Sequence, residues 1–263
     1  MTFTELPNDF KFEDRYEVAF ERVKISPEIN YATKIVVENT NSSIDPVFRL
    51  EESEFPGVED VTSSDINENK FILEITNAQF AYNGDEELCN YDYKGEIMIK
   101  RNNFGHLRDK NFFIRGAQAF KFENNAIDTI NGQAFELDNV ENIHMIANQF
   151  GFALRVPVVY MYYKDDRSGC DNKDLPENKI GKTIIKHNKF SKLLGRFFDL
   201  DEDPNYKDFV KNKFSVSDNE VAKRCNCTNT RLSEDADDNE RIAKLIQDSS
   251  KCLSDQTPPL LGN

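Results

Sequence analysis

The chain has 263 residues, a formal net charge of −14 and a sequence pI near 4.8, with 38% hydrophobic residues. So acidic a surface repels a phosphate backbone and anionic headgroups, which excludes nucleic acid as a partner and disfavours peripheral docking on lipid. No apolar run approaches the roughly 20 residues that cross a bilayer, so no membrane span is expected.

Phe is over-supplied at 21 and Trp is absent. That composition points to a narrow core refilled repeatedly with one residue type, as in repeat proteins. The first residues, Met1 to Glu5, carry neither a basic nor an apolar region of a signal peptide. Residues 1–69 then hold short alternating stretches, Tyr16-x-Val18-x-Phe20, Ile35-x-Val37 and Phe48-x-Leu50, followed by a polar stretch over 51–69. Alternation places every second side chain on one face, so these read as N-terminal cap strands and irregular first coils. Tyr16, Phe20 and Val23 also fit one face of a helix over 13–23.

From residue 70 a six-residue frame, apolar-x-x-Asn-x-apolar, recurs. It occurs as Ile99-Lys-Arg-Asn102-Asn-Phe104, Phe122-Glu-Asn-Asn125-Ala-Ile127 and Met145-Ile-Ala-Asn148-Gln-Phe150, each 23 residues after the last. It returns as Ile185-Lys-His-Asn188-Lys-Phe190 and, 24 residues on, as Phe209-Val-Lys-Asn212-Lys-Phe214. A weaker form, Ile75-Thr-Asn77-Ala-Gln-Phe80, lies upstream. A second frame, Phe112-x-Ile114, Phe135-x-Leu137, Val158-x-Tyr160 and Phe198-x-Leu200, keeps the same phase with steps of 23, 23 and 40. Both frames jump by 40 across one stretch, which places a polar loop insertion at 163–181.

Two phase-locked alternating frames in about 23 residues predict an all-β fold, a parallel β-helix over 70–222. Asn at one corner of each coil has a physical role there. It tolerates a left-handed backbone, and its amide both donates and accepts. Stacked about 4.8 Å apart, Asn102, Asn125, Asn148, Asn188 and Asn212 would bond along the axis as a structural ladder. Phe104, Phe150, Phe190 and Phe214, with Ile127 substituting, would stack inside, each ring burying area worth about 2 kcal/mol.

The last segment, 223–263, reads as a Cys-containing cap. Over 233–250, Asp235, Asp237 and Asp238 suit a helix N-terminus, and Ile242, Leu245 and Ile246 make an apolar face. Cys225 and Cys227 form a Cys-Asn-Cys pair, Cys252 follows, and Cys89 and Cys170 fall in loops. None of the three histidines neighbours a Cys pair, so disulfides of open connectivity are expected rather than zinc. Sequons at Asn41 and Asn226 fit glycosylation in the same extracellular or secretory compartment. No cofactor and no metal site is expected.

In period and Asn ladder, residues 70–215 resemble the right-handed parallel β-helix proteins of the pectate-lyase-like superfamily, at the level of fold. The resemblance implies acidic polysaccharides as a substrate class. However, Gly105-His106-Leu107 lacks the second glycine of the hydrolase pattern, and Asp165-Asp166 lies in the insertion. The outward positions expected on one strand row, Glu74, Met98, Lys121, His144, Ile184 and Asp208, form no continuous acid cluster. The other row, Phe113, Glu136, Val159 and Asp199, is equally mixed, and no paired carboxylates stand at acid/base positions.

Lys121 and His144 are expected to be neighbours one coil apart, as a solvated surface pair or a small polar site. His187 reads as a corner residue, and Asp165, Asp166, Asp171 and Asp174 read as a solvated loop. Phe113 and Val159, flanked by Met161 and Tyr162, are expected to form an outward hydrophobic face that is covered either by the insertion or the C-terminal helix, or by a binding partner. The expected function is a secreted or ectodomain, non-catalytic interaction or adhesion module for a protein or glycan partner. A polysaccharide lyase or glycoside hydrolase, and a rigid matrix protein, are the alternatives.

Overall fold

The structure is a computed structural model. It describes residues 2–3, 9–25, 33–39, 44–55, 71–77, 95–107, 111–130, 132–153, 159–162, 181–194, 198–200, 213–221 and 224–225. Among them every element is a strand and every strand pairing is parallel. The strands fall into a nine-stranded and a twelve-stranded sheet, and the architecture is solenoid-like.

Register resolves the sheets into three columns. The first stacks Asp9–Glu13, Thr33–Asn39, Phe71–Asn77, residues 112–115, residues 135–138, Val159–Tyr162 and Phe198–Leu200. The second stacks Glu17–Glu21, Val47–Glu51, Glu96–Lys100, residues 119–123, residues 142–146, Thr183–Lys186 and Phe214–Ser217. The third runs from Thr2–Phe3 through Lys24–Ile25, Glu54–Phe55, Asn103–Leu107, Ala126–Ile130, Gln149–Ala153 and Lys189–Leu194 to Glu220–Val221 and Arg224–Cys225. The chain visits the columns in order, so seven coils can be counted, opening at Asp9, Thr33, Phe71, Phe112, Phe135, Val159 and Phe198. The first two columns belong to one sheet because Phe112–Glu123 and Phe135–Ile146 are continuous 12-residue strands that serve both.

The alternating stretches before residue 70 are strands of this same stack, and residues 17–21 are strand rather than helix. Val18, Ile35, Val37, Phe48 and Leu50 are buried. The repeat was hidden there because Ser53 and Val23 stand where later coils carry Asn. The Ser53 backbone N–H donates to Asn102 Oδ1 at 2.9 Å, and Ser53 Oγ accepts from the Val23 N–H at 3.0 Å.

The ladder is built as expected over four residues. Asn102 donates through Nδ2 to Asn125 Oδ1, Asn125 to Asn148 and Asn148 to Asn188, at 2.9–3.3 Å. Each backbone N–H donates to the same oxygen at 2.9 Å. The second amide hydrogen reaches back to a carbonyl of the preceding coil, Leu50, Ile99, Phe122 and Met145 in turn, each at 2.8 Å. Every hydrogen-bonding site on these buried amides has a partner.

Three expectations about this corner are corrected. Asn188 bonds Asn219, not Asn212, which lies outside the described residues. Asn219 stands in a frame, Val216-x-x-Asn219-x-Val221, that is 31 residues on rather than 24. The left-handed residue is the one before the ladder position: Arg22, Glu52, Arg101, Asn124, Ala147, His187 and Asp218, with φ of 51–57°. Its N–H donates to the next coil, as Arg101 N does to the Glu123 carbonyl. The Asn therefore serves through its hydrogen bonds and not through a left-handed backbone. Finally, Asn77 belongs to a separate ladder between the first and second columns, where Asn39 Nδ2 donates to Asn77 Oδ1 at 2.8 Å.

Inside, Phe55 stacks on Phe104 at 5.3 Å and Phe150 on Phe190 at 4.9 Å. Ile127 interrupts that row, and Phe122 of the second column fills the gap, 6.1 Å from Phe104 and 6.5 Å from Phe150. A second row joins Phe112 to Phe135 at 4.7 Å. Phe214 pairs with Thr183 in the second column and is not part of the Phe104 row.

Candidate interaction flank

Because coils stack in register, the outward residues of the second column form a straight row: Arg49, Met98, Lys121, His144, Ile184 and Ser215. Lys121 and His144 are neighbours in it, as expected. Glu74 is not in this row but in that of the first column, between Val36 and Phe113. Asp208 lies outside the described residues.

Lys121 turns away from His144, its Nζ lying 2.8 Å from Glu96 Oε2 on the preceding coil. His144 is half-buried, and desolvation holds its pKa below 6.5; the Lys121 charge acts in the same direction, while Glu123 and Glu96 oppose it. The imidazole is therefore mainly neutral near pH 7 and presents a flat, weakly polar surface beside the half-buried Ile184, with Met98 on the far side of Lys121.

The proposed hydrophobic patch is only partly assembled. Phe113 does face outward, half-buried, with the Arg115 guanidinium 5.2 Å from its ring centroid. Arg115 Nε in turn donates to Asp138 Oδ2 at 2.8 Å, and Asn139 Nδ2 donates to Asp138 Oδ1 at 2.6 Å. Val159, by contrast, is fully buried and pairs with Phe135 and Phe198. Its segment, Val158 to Tyr163, is apolar at both parities, so alternation cannot choose which set points in, and the core took the set one residue later. Tyr160 occupies the register position beside Glu136 that Val159 was expected to hold. Met161 and Tyr162 pair with Leu137 and Asp138.

Arg115 and Glu96 were not singled out above, although they share the outward parity of Phe113 and Lys121 in their strands. His187 is the exposed corner residue expected. Cys225 pairs in register with Leu194. Cys89, Cys170, Cys227, Cys252, the sequons at Asn41 and Asn226, all of the 163–181 insertion except Gly181, and the helix over 233–250 lie outside the described residues.

Elsewhere on the flank, cations are mated with acids across coils. Lys100 meets Glu123 at 3.1 Å, Lys34 meets Glu74 at 2.9 Å, and Arg101 meets Glu51 at 2.8 Å. At the left-handed corner Arg22 holds the Glu52 carboxyl below its ordinary range and is itself pushed up. Among the described residues, no three His, Cys, Asp or Glu converge as metal ligands, and no helix is long and apolar enough to cross a membrane. A cavity of about 10 Å³, room for one water, lies beside the Asn39–Asn77 pair, lined also by Arg15, Pro46 and Glu96. No family model, no curated protein and no solved structure matches the chain.

Proposed function

We propose that the chain is a right-handed parallel β-helix of the pectate-lyase-like kind that acts, without catalysis, as a secreted interaction module for a protein or glycan partner. The observation that supports this most directly is the outward row of the second column. Met98, Lys121, His144 and Ile184 stand in line on strands fixed by a fully bonded buried ladder. Such a row is straight, pre-organised and mixed in polarity. Those properties limit the entropy lost on binding, and solenoid flanks bind extended surfaces in this way. On this flank Lys121 and Arg115 are committed to Glu96 and Asp138 rather than standing as free acids and bases.

The test is capture of extracellular partners by the protein secreted from eukaryotic cells, compared with a flank variant, Met98→Glu with Ile184→Glu. A control variant, Gln149→Glu, alters the third column. Partners lost with the flank variant and kept with the control support the reading. Equal capture by all three, or release of unsaturated sugar from an acidic polysaccharide, overturns it.

A further inference from the structure

The second half of coil 6, after an insertion that holds Asp165, Asp166, Asp171, Asp174 and Glu177, breaks the charge pattern of the rest of the molecule. Residues 178–198 contain no Asp or Glu but include Lys179, Lys182, Lys186, Lys189, Lys192 and Arg196, in a chain of net charge −14. Thr183 and Ile185 are buried, so Lys182, Ile184 and Lys186 point outward along the second column. Lys189, across the ladder corner, reaches Glu220 at 3.6 Å. Lys182 and Lys186 form no ion pair with a described residue, unlike Lys34, Lys100 and Lys121.

Among the described residues, no register neighbour of these lysines carries a negative charge. On coil 5 their register neighbours are Asn142, His144 and Ile146; on coil 7 they are Lys213, Ser215 and Ser217. None is an acid. The Glu141 backbone carbonyl holds Gly181, and Asn142 Oδ1 accepts the Lys182 N–H at 3.1 Å, so the start of the strand is pinned.

We infer that this strip is a docking surface for an extended acidic peptide segment of a partner protein, with the pattern acid-x-apolar-x-acid. The inference rests on the interaction reading above and names its occupant. A strand rises about 3.3 Å per residue, so Lys182, Ile184 and Lys186 present cation, apolar and cation at intervals of roughly 7 Å. An extended peptide repeats its own same-face side chains at that interval. One acid would therefore meet Lys182, an apolar side chain would cover Ile184 and Ile146, and a second acid would meet Lys186. A sulfated glycan matches the charge but has no side chain to cover Ile184, and a lipid surface has no such repeat.

The experiment is fluorescence anisotropy on the full chain with a labelled peptide centred on Glu-Thr-Leu-Thr-Glu. A peptide of the same composition centred on Glu-Glu-Thr-Leu-Thr serves as comparison, with heparin and phosphatidylserine vesicles as competitors. The matched peptide is expected to bind at low salt and at least about fivefold tighter than the reordered one. The double variant Lys182→Glu with Lys186→Glu, at an unchanged thermal midpoint, is expected to weaken it about tenfold, as loss of two exposed charge pairs implies. Absence of binding, equal binding of both peptides, or indifference to the variant overturns the inference. So does variant-sensitive binding of heparin or vesicles tighter than that of the peptide. If any of these occurs while partner capture still depends on Met98 and Ile184, only the occupant is rejected; if that dependence is also lost, the interaction reading falls with it.

Discussion

Replacing Asn125 by Ala should be among the most damaging single changes in the protein, and its size can be worked from the bonds. Asn125 is 1% exposed. Its Oδ1 accepts from Asn102 N and Nδ2, and its Nδ2 donates to the Ile99 carbonyl at 2.8 Å and to Asn148 Oδ1 at 3.3 Å. Removing the amide leaves the Asn102 N–H and the Ile99 carbonyl without these partners; Asn102 Nδ2 loses one of its two but keeps the Leu50 carbonyl, and Asn148 Oδ1 keeps the Asn125 N–H at 2.9 Å. Two buried groups at about 1–3 kcal/mol each imply a loss of about 2–6 kcal/mol. Urea denaturation should show a lower midpoint at constant slope. Asn103→Ala, next in sequence but exposed, should cost less than about 0.5 kcal/mol. Asn125→Ala combined with Asn148→Ala should cost less than the sum, because the two amides share a bond. A loss below about 1 kcal/mol for Asn125→Ala, or strict additivity with Asn148→Ala, would refute a cooperative ladder.

Four further outcomes follow from the same geometry. Val159→Ala should cost about 1–3 kcal/mol, whereas Phe113→Ser should cost under about 1 kcal/mol, since only the first lies in the core; thermal midpoints decide this. Because the folded pKa of His144 is depressed, its contribution to stability is present above the unfolded value of 6.5 and is lost as pH falls through the lower folded value. The His144→Gln variant should therefore show a flatter stability profile below pH 6.5. Ala147 has φ of 56°, so Ala147→Val should destabilise by about 1–2 kcal/mol while Ala147→Asn is tolerated, as measured by denaturation. A Cβ on Gly151 would overlap the Asp128 backbone carbonyl of the coil before it, so Gly151→Ala should cost about 2 kcal/mol or more in the same assay.

The Asn frame was legible because it combines a local requirement with a long-range one. Each Asn needs a buried, two-way amide partner one coil away, and a shared phase is the only way to supply it. Where the partner changes type the sequence falls silent, as at Ser53, which still accepts from the Val23 N–H and donates its own N–H to Asn102. Lys121 beside His144 followed from phase alone. Asn212 and Val159 were misplaced for different reasons. Asn212 sits in a well-formed frame at nearly the right spacing, but the step to the last coil is 31 residues, which no local pattern announces. Val159 sits in a run that is apolar at both parities, where a one-residue slip reverses the outward set.

By itself, then, the amino-acid order determined the parallel strands, the corner amides and the core of stacked Phe. All of these repeat at fixed spacing, and alternation is a property of neighbouring residues. Only the tertiary structure decided which residue of each corner takes the left-handed backbone, which Asn closes the last described rung, and which parity faces out at Val159. It also decided that Lys121 and Arg115 are committed to Glu96 and Asp138 while Lys182 and Lys186 stand among uncharged and cationic neighbours. Those outcomes depend on what the adjacent coil places about 4.8 Å away, and coils of 23 to 49 residues put that neighbour at a distance along the chain that local sequence does not encode.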